Sequence, residues 1–476
     1  MKISSCHRNI IKNLIFFFKD KNLYEICALV IILFWEIIFT VVFSNKGLIL
    51  IIASTAILFF FIYTLFSIEK SYYLCAAYFL IFPEKYYSIF FPGVPISFYW
   101  IIGYPIFLLS VLYWITFLFK HRIELKFGIL DKTITGLFLS IIIAAVFGIL
   151  QGHKFEYLRL EILPLSLHLV YFIFLYSSLK DNPRRFYDFI TFCALIIAFE
   201  FIDSMLKFWG QIFLVRIVSM HIHISQLAIA YLGAILIYAS SKKRKIIAGF
   251  LLPIILLSVA ISQQRALWGA TLVILVFLIA IFIYERRRRL KENYLKILRI
   301  STVIAIIVLG SYLIVNKITN NMLYNTIIAR GQILFKFESL RYDASYKVRT
   351  AEIVEALRTI KNDFLLGKGL GASVITRWRL TEHIWVDNSY AYIYWKMGIL
   401  GLVTFFLFYF TFFKRGLGLL QKKITEDERI YTLATLLNFI SLFIVGLTNT
   451  CIITYRFIIV WAASIAIVES IARKYD

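Results

Sequence analysis

The chain has 476 residues, of which 61% are hydrophobic and 18% aromatic, and it carries a formal charge of +24. That is more apolar surface than a soluble protein of this length can bury, so a membrane is the expected solvent. The charge would suit nucleic acid, but its placement along the chain argues against that class.

Runs such as Thr271 to Tyr284 and Ile297 to Val315 are apolar all round. They read as spanning helices rather than as the alternating ten-residue strands of an outer-membrane barrel. The basic N-terminal stretch to about Asn22 is not followed by a short apolar region with a small-residue cleavage site, so the first helix is expected to be retained. In chain order, apolar windows predict spans near 24–43, 47–67, 71–82, 99–119, 133–150, 162–179, 186–206, 223–240, 246–261, 266–284, 297–316, 388–412, 430–449 and 454–472. The fold class is therefore an all-α polytopic membrane protein with about 14 transmembrane helices. Three parts are expected: a bundle over 1–316, a large outer loop over 317–387 and C-terminal helices over 388–476. Five cysteines are scattered without a CxxC or Cys/His pair, which points to neither a disulfide framework nor a metal site.

With a cytoplasmic N-terminus, 31 of the 51 Lys and Arg residues fall on cytoplasmic segments and 8 on the short outer loops. The positive-inside rule predicts this asymmetry, so most of the excess charge is topology and no nucleic-acid partner is implied. The long loop is different, with 11 Lys or Arg and 7 Asp or Glu. Residues 346–360 have amphipathic helical spacing and the glycines at 367, 369 and 371 interrupt it, so a small structured cap over the membrane is expected.

Acidic and imidazole groups recur near the predicted outer ends of spans: Glu36, His168, Glu200, Asp203, His221 and His223. Glu200 and Asp203 rank first, a helical turn apart on one face, because titratable groups inside membrane segments are candidates for function. Arg265, in Ser262-Gln263-Gln264-Arg265, follows one span and opens the next with almost no loop between them. A guanidinium there either snorkels to headgroups or grips an anion with two prongs, a geometry lysine cannot copy. Arg341 and Arg349 add two more guanidinium groups near the start of the loop helix, where the helix dipole also favours anions. The plainer alternative pairs these arginines with Glu352 and Glu355 at helical spacing.

The run Gly367-Lys368-Gly369-Leu370-Gly371 lacks the GK[ST] ending of a phosphate loop, and a nucleotide site is rejected. Its glycines allow tight turns or close approach of a substrate. Asp387 opens the next helix with His383 four residues upstream, so a carboxylate and an imidazole can meet at the outer surface. Asp387 is then either a helix cap or a general base toward a sugar hydroxyl.

Taken in order, Ser262 to Ala270 (SQQRALWGA), Arg349 ahead of Glu352 to Leu366, Gly367 to Ala372 (GKGLGA) and Asp387 to Leu402 (DNSYAYIYWKMGILGL) form a recognisable series. This series resembles the O-antigen polymerase and O-antigen ligase family of bacterial envelope glycosyltransferases, over roughly residues 250 to 410. The resemblance implies a GT-C-like, multi-pass enzyme of the bacterial inner membrane, with both termini cytoplasmic and the long loop outside. Its donor and acceptor would be undecaprenyl-diphosphate-linked oligosaccharides, used without metal or cofactor. Membrane lipids and a chain-length-determining protein would be its partners.

Carried over, Arg265 and Arg349 match the arginines that hold the diphosphate, and Asp387, assisted by His383, takes the base position. Arg341, Gly367, Gly369, Gly371, Asn388, Tyr390, Glu200 and Asp203 are expected around the substrate. Ligases carry a histidine where this chain has Asp387, and the DN version looks more like the polymerases of O-antigen, capsule or exopolysaccharide repeat units. The alternatives are a ligase acting on lipid A core or protein, and a flippase or transporter, which would spread its cations over both leaflets.

Overall fold

The computed structural model describes residues 68–81, 97–123, 125–207, 224–262, 264–287, 344–360, 362–376 and 382–476. The spans expected over 24–43, 47–67 and 297–316, with Glu36, His221, His223 and Arg341, lie outside these residues. The described residues are predominantly helical and contain no strand beyond one isolated antiparallel bridge between Val374 and His383.

Two compact units divide the chain: Met1–Leu125 with Tyr176–Asp181, and Lys126–Leu175 with Asn182–Asp476. In the first unit, α1 (Ile68–Ile81) packs on α2 (Ser97–Lys120). The Ser71 and Ser110 hydroxyls meet across that contact at 2.7 Å, satisfying two polar groups on apolar helices.

The second unit contains α3 (Ile129–Leu150), α4 (Phe155–Ser166), α5 (Val170–Leu175), α6 (Pro183–Lys207), α7 (Ser225–Tyr238), α8 (Lys242–Ile261), α9 (Arg265–Arg287), α10 (Ala344–Thr359), α11 (Ser389–Gln421), α12 (Glu426–Gly446) and α13 (Tyr455–Lys474). Among the described residues, five stretches are long and apolar enough to cross a membrane: α3, the α4–α5 run Phe155–Leu175, α9 over Arg265–Glu285, α11 and α12. Large apolar side chains such as Ile149, Phe250, Leu272 and Phe410 stay exposed on their outer faces, as lipid-facing positions require.

The α4–α5 run begins at Phe155, earlier than the predicted 162, because Glu161 is neutralised inside the bundle. Pro164 interrupts it, and the 3-10 turn Leu167–Leu169 follows. His168 therefore lies about 20 Å below the start of α4, far from the outer end expected for it. Its ring is buried, bonded through Nδ1 to the Leu165 carbonyl at 2.7 Å and edge-on to Trp461.

Ion pairs show which helix ends meet. Arg473 joins Asp131 and Glu469, Arg415 joins Glu469, Lys474 joins Glu428, Arg429 joins Glu285 and Arg244 joins Asp427. The N-terminal ends of α3, α8 and α12 and the C-terminal ends of α9, α11 and α13 therefore share one face, here the basic end. The first residues of α4, α9, α11 and α13 lie toward the opposite face.

At that opposite face α11 is broken. Gly398 sits at φ +63°, and the segment 364–372 folds into the break. Lys368 N–H donates to the Trp395 carbonyl at 2.8 Å and Gly369 N–H to that of Lys396 at 3.0 Å. In return Ile399 N–H donates to Phe364 and Leu400 N–H to Leu365, at 2.9 and 3.2 Å. Leu370 N–H reaches the Ala144 carbonyl of α3 at 2.9 Å. The backbone groups freed by the kink are thereby satisfied, the condition for irregular backbone at membrane depth.

The glycine-rich part of the loop is a re-entrant segment, folded in among the helices. Gly367, Gly369 and Gly371 have φ of +75°, +80° and +84° and are buried. A Cβ on Gly367 would fall 2.5 Å from Lys396 C, and one on Gly369 2.5 Å from Gly148 N. The close approach is to the protein's own helices. Gly369→Ala should accordingly destabilise the protein by about 2 kcal/mol or more. Gly269→Ala, with nothing within 4 Å of its Cβ, should be neutral or slightly stabilising. Thermal unfolding midpoints in detergent check the contrast.

Candidate functional site

The site end is organised around α10 and the segment 382–388. Arg349 and Glu352 stand one turn apart on α10, so both reach the same neighbour. Arg349 Nε lies 3.1 Å from Asp387 Oδ2, with each side chain half-exposed. Deeper, His383 Nε2 lies 3.7 Å from Glu352 Oε1, with Glu352 buried. His383 thus faces Glu352, and its backbone is pinned to Val374 in both directions, at 2.9 and 3.1 Å. Glu355 pairs with Arg358 at 3.5 Å, which leaves Arg349 to Asp387.

The alternative that Asp387 caps the following helix is overturned. Asn388 is the cap: its side chain accepts from Tyr390 and Ala391 N–H at 3.0 and 2.9 Å, while its amide donates to the Leu447 carbonyl at 2.8 Å. Tyr390 donates its hydroxyl to the Phe443 carbonyl at 2.7 Å and stacks on Phe406. Asn388 and Tyr390, expected near substrate, are committed to holding α11 against the end of α12. Thr450 Oγ1 donates to the Val386 carbonyl at 2.6 Å, and Ser389 Oγ to Asn449 at 2.8 Å, so the backbone on both sides of Asp387 is fixed.

On the far side of the segment, Lys154 and Tyr157 meet Glu382 at 2.6 and 2.9 Å. The hydrogen bond from Lys154, then that from Tyr157, holds the Glu382 carboxyl below the usual carboxylate range.

Arg265 is the first residue of α9 and is half-buried. Gln226 bridges Thr271 of α9 and Ser441 of α12, at 3.0 and 3.2 Å. Arg265 lies about 9 Å from Thr271 along α9, and Leu447 about 9 Å from Ser441 along α12, both in the same direction. Arg265 therefore stands level with the α12 turn that holds Asn388. Glu200 and Asp203 belong to α6, a turn apart. Tyr187 of that helix bonds Thr435 at 2.7 Å, which puts Glu200 about 20 Å further along, also toward the site end.

Two residues that sequence reasoning did not place in the site support it from below. Lys396 Nζ lies 2.7 Å from Glu161 Oε1, and neither side chain is exposed to solvent. Tyr392 donates its hydroxyl to Glu161 at 2.8 Å, Gly371 N–H donates to the other oxygen, and Lys396 donates to the Ala372 carbonyl. The Lys396 ammonium also sits 4.1 Å from the Trp395 ring centroid. A lone lysine within an apolar span was the available signal, since it demands an anionic partner.

No family model matches this chain, and no curated protein matches it. The site is therefore read from its chemistry. A cavity of about 830 Å³ opens at the basic end, lined by Arg184, Lys243, Arg244, Asp188, Glu426 and Asp427. Its cations and carboxylates balance, and Arg244 is already paired with Asp427, so it is poorly suited to a multiply charged anion. At the site end, a guanidinium and a carboxylate share one accessible spot over a rigid frame.

Removing one member of the buried pair should be severe. Glu161→Gln or Lys396→Met should each destabilise by about 3 to 5 kcal/mol, because the remaining charge is left buried. The double variant should cost clearly less than the sum, measured as a double-mutant cycle on unfolding.

Proposed function

We propose that this chain is a metal-independent glycosyltransferase that joins undecaprenyl-diphosphate-linked oligosaccharide repeat units, in the manner of O-antigen polymerases. The observation that carries this reading is the Arg349–Asp387 contact at the end of the bundle away from the basic clusters. By the positive-inside rule the basic end faces the cytoplasm, so the site opens outside, where lipid-linked glycans are assembled. The fourteen spans, the inner-membrane location and the GT-C-like architecture belong to this proposal, as do Arg341, Glu200 and Asp203 as substrate contacts.

A lipid diphosphate is already a good leaving group, so the enzyme chiefly supplies cations where negative charge develops and a base for the incoming hydroxyl. Asp387 takes the proton from the acceptor sugar hydroxyl as its oxygen bonds to the anomeric carbon of the donor. The bond from that carbon to the diphosphate oxygen breaks, and the electron pair leaves on polyprenyl diphosphate, held by Arg349 and Arg265. A single displacement of this kind inverts the anomeric centre.

Purified protein given lipid-linked repeat units alone should produce a ladder of longer lipid-linked products. Arg265→Ala, Arg349→Ala and Arg349→Lys should lower its rate by about 100-fold or more, the usual loss when a charge-stabilising donor is removed. Normal rates in folded variants would sink the proposal, and retention at the anomeric carbon would exclude single displacement. No reaction until a lipid A core is added would instead indicate a ligase.

A further inference from the structure

The contact that defines the site also sets its two roles against each other. Arg349 and Asp387 each keep 36% of their side-chain surface, so a ligand can reach both. While they are joined at 3.1 Å, Oδ2 of the Asp387 carboxylate is occupied, and one edge of the guanidinium fork is closed to an anion.

We infer that the Arg349–Asp387 pair is a substrate-exchanged latch: the donor's diphosphate displaces Asp387 from Arg349, and the released carboxylate becomes available as base. This inference rests on the diphosphate reading above. Three features of the site suit an exchange confined to side chains.

Asp387 has no capping duty to abandon, because Asn388 performs it. Backbone movement is blocked on both sides by the Thr450–Val386 and Ser389–Asn449 bonds. Glu352, one turn along α10, is turned inward toward His383 and is 1% exposed, so it does not follow Arg349 to the surface. A half-exposed ion pair is weak. A diphosphate offers more charge and more acceptor oxygens to the same fork, so exchange favours the substrate. The consequence is an order of events: the donor must be seated before the acceptor can lose its proton.

The test measures equilibrium binding of farnesyl diphosphate to the full-length protein in lipid nanodiscs, with farnesyl monophosphate as the weaker control. Asp387→Asn and Asp387→Ala should each bind the diphosphate about threefold to fivefold more tightly than the wild type, at an unchanged unfolding midpoint. The gain should disappear when Arg349→Gln is added, since it comes from freeing that guanidinium. A gain that persists in the Arg349→Gln background reflects bulk charge and overturns the latch. Absence of tightening in both Asp387 variants, with binding still dependent on Arg349, overturns the latch and leaves the diphosphate reading standing. Binding indifferent to both Arg265 and Arg349 overturns the reading itself, and the latch with it.

Discussion

The second unit depends on one buried ion pair, Glu161 with Lys396. Two charges withdrawn from solvent are costly unless their remaining hydrogen-bonding capacity is met, and here it is met by the segment that must be held. Glu161 takes the Gly371 N–H and the Tyr392 hydroxyl, and Lys396 donates to the Ala372 carbonyl. Helix α4, the re-entrant segment and helix α11 are therefore joined at a single point. A change in any one of them displaces the other two.

From that point outward, the constraint passes along the chain to the site. The re-entrant segment leaves the buried pair at Ala372 and reaches Val374, which fixes His383 by two backbone bonds. Val374, Val386, Ala356 and Trp395 form one apolar cluster, so α10 is seated on the same support. Trp395 adds a bond from its ring nitrogen to Thr359 at 3.1 Å. Arg349 and Asp387 come from segments far apart in sequence, yet both frames are rigid up to the last side-chain torsions. Such stiffness is what a positioned base and a charge-stabilising donor require.

Charge is sorted by purpose along the bundle axis. At the basic end several of the described cations meet carboxylates of neighbouring helices, as with Arg473, Arg415 and Lys474. Those pairs fasten helix ends without any ligand. At the other end the described charges include those of α10, the 382–388 segment, the first residue of α9 and Lys154 ahead of α4. The contrast in placement, more than the number of charges, separates topology from chemistry.

The sequence by itself determined the helical class and the approximate bounds of most described helices, because long apolar runs that point to a membrane have only one way to satisfy their backbone there. It also singled out Arg349, Asp387 and the loop helix at 346–360, since charge and amphipathic period are local properties of the chain. Only the tertiary structure decided which partner each charge takes. The cap is Asn388 and not Asp387, His383 faces Glu352, and Gly367 and Gly369 pack against α11 and α3. Glu161 looked like a loop residue until Lys396 was brought beside it. The physical reason is that burying a charge is unfavourable for either residue alone and tolerable for the pair, and a lone lysine in an apolar span signals that a partner is needed without naming which residue it is.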